Sequence, residues 1–467
     1  MRISLTDAIR SDFERCLSEV KYKGIELSLT FKAFLLTSKE VSLRLALIDS
    51  LKLAGLLCFG PRRCNAKIAA NGLYRHRVLV AFHTDVTRMR QFVQPIVRRL
   101  HPLRYNVISF SSSVDSVVGE DTGWCNSFYV FRRGTLQARI AMLHAVFKIV
   151  NAVYGWLRNS GLPILLIPSL LKEFVYRYMY IDGFDVFLED TRPSCIVFDY
   201  EHLHPWAVLA LIARKRGVKT LNLMHAEIYS SYAWVPLLSS EIAVWGELQR
   251  KSLLSYGVLP GQVKVCGCPR LNPDINVDAA SVRKKLGLDA SRPIALLATN
   301  PIAWEYREKQ VRVFAGATKG VERVQGVVRL HPSEKIEAYS QLAIECSWLK
   351  FLDANSWTLE EALKISRVIV NHDSTVGDDA LAYGVPVIEL DVLPIGLTNG
   401  KKLVDEAKCP LARCESELRK EIARIVLDDA VFESQIEASR PFVHNLFFAF
   451  GDQAAENTSN VVKELVS

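Results

Sequence analysis

The chain has 467 residues, 49% of them hydrophobic and 23% charged, with a net charge of +8. That length holds two or three domains, and the composition is globular rather than disordered or fibrous. The basic residues are dispersed, which excludes a dedicated nucleic-acid binder and suits anionic substrates or a membrane face.

The first residues, MRISLTDAIRSDFERC, carry charges and lack the apolar run of a signal peptide. Residues 1–75 read as a helical extension. In VSLRLALIDSLKLAGLL, the residues Val41, Leu45, Ile48 and Leu51 keep helical spacing, and Gly55 can close the helix. A first α/β block opens at Arg77 with the strand RVLVAF, whose end carries His83-Thr84-Asp85. A helix over Thr87–Leu100 and the strand YNVISF follow. Between residues 111 and 190 an aromatic-rich helical region spans Leu136 to Leu157. The segment GLPILLIPSLLKEF is apolar but interrupted by Pro163 and Pro168, and it falls short of the roughly 18 residues of a membrane span. It is expected to be buried, with an interfacial loop at a membrane as the alternative. The strands SCIVFD, KTLNLMH, EIAVWG and VKVCGCPR come next, with a helix over Pro205–Arg216 closed by Gly217.

The polar stretch LNPDINVDAASVRKK with Pro273 marks a linker at 271–280. A second block follows. It holds the strand PIALLATN, a helix near Trp304–Thr318, the strand VVRLHP, a helix over Lys335–Cys346, and KFLDAN. A helix over Thr358–Ser366 opens on the capping box Thr358/Glu361, ahead of VIVNHDST and VPVIELD. Residues after 410 read as helical. Strand and helix alternate at βαβ spacing, which means parallel sheets. The expected fold is α/β with two doubly wound Rossmann-like domains facing a cleft. The divisions are a helical extension 1–75, a first domain 76–272, a second domain 273–410, and terminal helices 411–467 packing back across the domains.

Ligands of doubly wound sheets sit at the carboxyl ends of the strands. In the second block those ends carry His331-Pro332 and Asp373-Ser374-Thr375. Proline holds His331 extended, and an imidazole there can donate to a phosphate oxygen. Ser374 and Thr375, with the first amides of the following helix, make a second anion-binding element. Arg329 and Arg270 are candidate counter-charges. The alternatives are a core histidine and a plain helix cap. In the first block Asp85, Asp199, Glu201 and Glu227 follow strands, beside His83, His202 and His225. A transferase needs one such group to take a proton from an attacking hydroxyl. His225, Glu227 and Asp85 lead. No G-x-x-x-x-G-K-[ST], G-x-G-x-x-G or H-E-x-x-H occurs, and no Asp-x-Asp pair is present to hold a divalent metal. A metal-independent scheme without a cofactor is therefore expected. The ten cysteines form no C-x-x-C pair, so no structural zinc is expected and a reducing compartment is.

The second block resembles the C-terminal domain of GT-B type glycosyltransferases. More narrowly, it resembles bacterial capsule and lipopolysaccharide transferases with cytidine-nucleotide donors: sialyl and Kdo transferases and CDP-glycerol glycerophosphotransferases. Their His-Pro motif matches His331-Pro332, and their paired hydroxyls match Ser374-Thr375. The run DSTVGDDALAYGVPVI resembles the SS-x-x-x-EA-x-x-x-G-x-P-V-I signature of sugar-nucleotide enzymes, with Asp379 in the Glu place. In the first block LNLMHAEI falls where relatives carry a strand ending in Gln-His-Gly, and Met224 and Ala226 depart from it. The resemblance covers about residues 195–395. It implies a cytoplasmic glycosyl or glycerophosphoryl transferase of surface polysaccharide synthesis. The implied partners are a CMP- or CDP-linked donor and a glycan or glycolipid acceptor, with peripheral contact to the inner membrane or export machinery. The rival readings are a sugar-nucleotide 2-epimerase or hydrolase on the same fold and a non-catalytic glycan-binding homologue.

Overall fold

The computed structural model describes residues 2–3, 7–18, 20–31, 39–40, 43–59, 76–82, 87–100, 105–111, 123–126, 149–203, 205–228 and 230–467. Asp85 and His83 lie outside the described residues, as does most of the helical region expected over Leu136–Leu157. The chain forms two compact units, residues 1–270 with 451–467 and residues 271–450.

Unit 1 opens with more than helices. The strand β1 (Arg2–Ile3) pairs antiparallel with β4 (Lys39–Glu40), and β2 (Lys21–Tyr22) pairs with β3 (Ile25–Glu26). Gly24, at φ +78°, makes the tight turn of that second pair. The helices Asp7–Leu17 and Leu43–Phe59 flank them. Phe13, Leu17 and Phe31 are fully buried in one cluster with Trp156 and Phe174. The guanidinium of the fully buried Arg177 lies 3.8 Å from the Phe31 ring centroid and donates to the Thr30 carbonyl at 3.2 Å. The N-terminal segment therefore shares the core of unit 1.

The main sheet of unit 1 has β5 (His76–Ala81), β6 (Tyr105–Ser111), β7 (Gly123–Asn126), β8 (Cys195–Phe198), β9 (Lys219–Leu223), β10 (Glu241–Val244) and β11 (Val263–Val265). All its pairs are parallel, in the order β11-β10-β9-β8-β5-β6-β7. Side chains alternate across it. Leu79, Ala81, Ile196 and Phe198 face the helices Ile167–Thr191 and Trp206–Lys215, whereas Val78, Val80, Val197 and Leu221 face Thr87–Leu100 and the last helix, Gly451–Val466.

The segment GLPILLIPSLLKEF departs from its expected burial. It forms a 3₁₀ turn, Ile164–Leu166, and the start of the 25-residue helix Ile167–Thr191. Pro168 sits in the first helical turn, where a missing N–H costs nothing, so it starts the helix rather than interrupting it. Leu166 and Leu170 are buried, but Ile164 is 59% exposed and Leu165 41%.

Unit 2 holds one six-stranded parallel sheet. Its strands are β12 (Ile294–Ala298), β13 (Gln325–Arg329), β14 (Lys350–Leu352), β15 (Val368–Asn371), β16 (Val387–Leu390) and β17 (Leu411–Ala412). Their order is β14-β13-β12-β15-β16-β17, the Rossmann arrangement with its switch point between β12 and β15. Asp278 caps the helix Ala279–Leu286 by accepting from the amides of Ala280 and Ser281, and Gly287 ends it at φ +64°. Thr358 and Glu361 form the expected reciprocal capping box. The short strand β17 precedes the helices Glu415–Leu427 and Asp429–Leu446, so the chain after 410 is not helical from its start.

Candidate nucleotide site

The carboxyl ends of β12, β13 and β15 are tied together by side chains. Thr299 and Asn300, just past β12, reach in opposite directions. The Thr299 hydroxyl accepts the His331 N–H at 2.9 Å, and the Asn300 amide donates to the His372 carbonyl. One short loop thus holds both the β13 loop and the β15 loop. Glu334 anchors the first of these. Its buried carboxylate accepts from the Thr299 hydroxyl at 2.5 Å, the His331 N–H at 3.0 Å, the Arg307 guanidinium at 2.8 Å and the Tyr339 hydroxyl at 3.1 Å.

This frame sets the chemistry of His331. Its Nδ1 accepts the Ser333 backbone N–H at 3.2 Å, with the Ser333 hydroxyl 2.8 Å away. The amide can only donate, so a neutral ring carries its proton on Nε2. Burial, the main cause, lowers the His331 pKa below the ordinary 6.5, with Arg329 adding to it and Glu334 opposing it. The ring is therefore a neutral Nε2–H donor, suited to an anionic oxygen. Pro332 is exposed beside it. Arg329 ends β13 almost fully buried, its Nε without a hydrogen-bond partner. Burial lowers its pKa against the pull of Glu360 and Asp353. It stays charged all the same.

The β15 loop is arranged differently from the expected anion cradle. Asp373 adopts φ +53°, and its Oδ1 accepts from the amides of Thr398 at 2.6 Å and Gly400 at 2.9 Å. That carboxylate therefore tethers the start of the helix Asn399–Asp405. The helix Val376–Ala382 has only seven residues. Its first amides are partly used, since Gly377 donates to the Ser374 carbonyl at 3.1 Å and Val376 approaches the Ser374 hydroxyl at 3.4 Å. Asp378 and Asp379 are both buried in its first turn. Two carboxylates there already answer the partial positive charge of the helix end, so the dipole adds little for a ligand. The half-buried Ser374 and Thr375 hydroxyls remain, and Thr375 makes no side-chain cap bond.

Sequence reasoning passed over Thr299, Asn300, Glu334, His372 and Glu389. The first two follow a strand in PIALLATN and could have been read as strand-end polar residues. Glu334 lies three residues past His331, a spacing no motif flags. The buried His372 donates Nδ1–H to the Leu390 carbonyl at 2.8 Å, because a carbonyl can only accept. The fully buried Glu389 accepts from the Asn371 amide at 2.5 Å and the Asp373 N–H at 3.2 Å. Burial pushes its pKa up to about 7.

The unit 1 candidates separate by accessibility. Asp199 and Glu201 are buried, and Glu201 accepts from the amides of Leu238 at 2.8 Å and Ser239 at 2.6 Å. These bonds and its full burial make it a brace of the β8 loop, and burial raises its pKa to about 7. His202 is buried 3.5 Å from it. Glu227 is buried and accepts from Gln249 at 2.6 Å. His225 is half-buried past β9, 4.4 Å from the Tyr200 ring and 5.4 Å from that of Trp234. Arg270 belongs to unit 1, where its guanidinium lies 5.5 Å from the Phe92 ring centroid.

An open cavity of about 570 Å³ lies elsewhere in unit 1, lined by Ser11, Arg214, Tyr232, Tyr256 and Gln262. Arg214 precedes β9 and Tyr256 and Gln262 precede β11, which puts it at the amino ends of the strands. Doubly wound sheets bind at the other end, so the strand-end residues carry more weight. Among the described residues no group of three or more His, Cys, Asp or Glu is placed to hold a metal ion.

No protein-family model matches the chain, and no curated protein matches it. Solved structures do. A glycosyltransferase from Rickettsia africae aligns at TM-score 0.53 and 12% identity, over 84% of this chain and 100% of that one. A putative UDP-N-acetylglucosamine 2-epimerase from Listeria monocytogenes aligns at 0.53 and 14%, over 83% and 96%. The UDP-GlcNAc 2-epimerase from Neisseria meningitidis, bound to UDP-GlcNAc, aligns at 0.52 and 13%, over 84% and 99%. At these identities the likeness is one of fold. It is the GT-B class of two Rossmann-like α/β domains.

Proposed function

We propose that the chain is a glycosyltransferase using a pyrimidine-nucleotide-activated sugar, with the nucleotide phosphates held by unit 2. The observation that carries this reading is the fixed tautomer of His331. Its Nδ1 is occupied by a backbone amide, so Nε2–H is a donor at a strand end. Thr299 and Asn300 tie its loop to the one bearing Ser374 and Thr375. These groups would stabilise the departing phosphate as the bond from the anomeric carbon to the phosphate oxygen breaks. The acceptor oxygen bonds to that carbon and loses its proton to a base, for which His225 is the accessible candidate in unit 1. The scheme needs no metal. The His-Pro and Ser-Thr pairing favours a cytidine nucleotide and a surface polysaccharide product. UDP-GlcNAc, named for the Neisseria structure, makes uridine the alternative.

The epimerases among the structural neighbours favour a second reading, a nucleotide-sugar 2-epimerase or hydrolase. Donor turnover separates the two. A transferase consumes donor stoichiometrically with acceptor glycosylation, whereas an epimerase or hydrolase changes the donor with no acceptor present. Binding of CMP, CDP and UDP to the full chain tests both, and failure of all three to bind sinks the nucleotide reading.

A further inference from the structure

The N-terminal part of unit 1 carries an apolar surface that its own packing leaves open. The helix Leu43–Phe59 packs along Ile167–Thr191 and against the turn Ile164–Leu166. A Lys172–Asp49 ion pair at 2.7 Å joins the two helices, and Ala46 is buried. On the outer side Leu47 is 58% exposed and Leu51 74%, and the adjoining turn presents Ile164 and Leu165. Leu47 and Leu51 stand one helical turn apart and share a stripe. Four large apolar side chains on touching elements form a patch, unlike the single exposed residues common on any surface.

The exposed charged side chains of the helix Leu43–Phe59 are basic. Arg44 and Lys52 are exposed on the same helix, and Arg158 is exposed on the helix over 149–159. The one carboxylate of the helix Leu43–Phe59, Asp49, is paired with Lys172. A basic, apolar face repels a second copy of itself. It complements a surface that offers phosphate charge and an apolar layer just beneath.

We propose that this face docks on an anionic lipid bilayer. Leu47, Leu51, Ile164 and Leu165 enter the boundary between headgroups and acyl chains, and Arg44, Lys52 and Arg158 lie against lipid phosphates. Among the described residues no helix is long and apolar enough to cross a membrane, so the contact is peripheral.

Co-sedimentation of the full chain with vesicles tests this directly, and it does not depend on nucleotide binding. Wild type should pellet with mixed phosphatidylglycerol–phosphatidylcholine vesicles, more weakly with phosphatidylcholine alone, and less as salt rises. The pair Leu51→Glu and Ile164→Glu should weaken partition by roughly tenfold or more, because charge replaces inserted apolar surface. Arg44→Glu with Lys52→Glu should weaken binding to the anionic vesicles only. All four side chains are exposed or at the surface, so melting should not move. Ile344→Glu, at a 72% exposed site in unit 2, should bind as wild type. The proposal is overturned if wild type ignores anionic vesicles or if both paired variants bind as it does. A concentration-dependent dimer that Leu51→Glu dissolves, with vesicle binding unchanged, would also overturn it and assign the patch to self-association.

Discussion

Replacing Glu334 by alanine should lower the unfolding temperature of unit 2. The carboxylate is 3% exposed and receives four hydrogen bonds, from Thr299, His331, Arg307 and Tyr339. Truncation leaves the fully buried Tyr339 hydroxyl and the Arg307 charge without their acceptor. Breaking a buried charged pair costs roughly 3–5 kcal/mol. Arg307 is 19% exposed and can recover water, so the lower end, about 3 kcal/mol, applies. At roughly 2–4 °C per kcal/mol for a domain of this size, the unit 2 transition should fall by about 6–12 °C. Differential scanning calorimetry of the full chain reads this, and added nucleotide should no longer shift the transition, because the His331 loop has lost its anchor. A fall below about 2 °C, equivalent to under about 1 kcal/mol, would refute the reasoning. It would mean that the four bonds do not act as a buried set.

Glu389 makes stability depend on pH. Its pKa rises from 4.5 to about 7 in the folded chain, so over that window the folded state holds a proton that the unfolded state has lost. Stability should therefore fall as pH rises from 4.5 to 7, by about 3 kcal/mol at 1.36 kcal/mol per unit. Urea unfolding should show Glu389→Gln with a flatter profile than wild type, and parallel profiles would count against it. Ser374→Ala should weaken nucleotide binding while costing well under about 1 kcal/mol of stability, because its cap contact with Val376 is long at 3.4 Å. A full capping loss with unchanged affinity would make that residue structural. Turnover should persist in EDTA, and loss that magnesium restores would overturn the metal-free scheme.

The regular parts of the fold were legible because they are periodic. Apolar runs such as Val368–Val370 ending in polar residues, and caps such as Thr358/Glu361, carry their cause locally. The helix Ile167–Thr191 was missed because Pro168 reads as a breaker unless it is known to start a helix. The site was half legible. His331 and Ser374 stand at strand ends and announce themselves. Asp373 also does, yet its carboxylate serves Thr398 and Gly400, partners that only tertiary structure brings near. Glu334 and Asn300 act through loops on different strands, and no spacing along the chain encodes that. Asp378 and Asp379 look like ordinary first-turn acids, and only their burial shows how little of the helix end is left for a ligand.

The account rests on His331 as a phosphate donor, and calorimetric titration of CMP, CDP and UDP into wild type and His331→Ala tests it most directly. At least one nucleotide should bind wild type. Losing one hydrogen bond to a charged oxygen, about 1.5–3 kcal/mol, should weaken it in the variant by roughly 10- to 150-fold. The fold should stay intact, since the His331 ring bonds only to the exposed Ser333. Equal affinity in the two proteins, or no binding by any of the three nucleotides, would contradict the account.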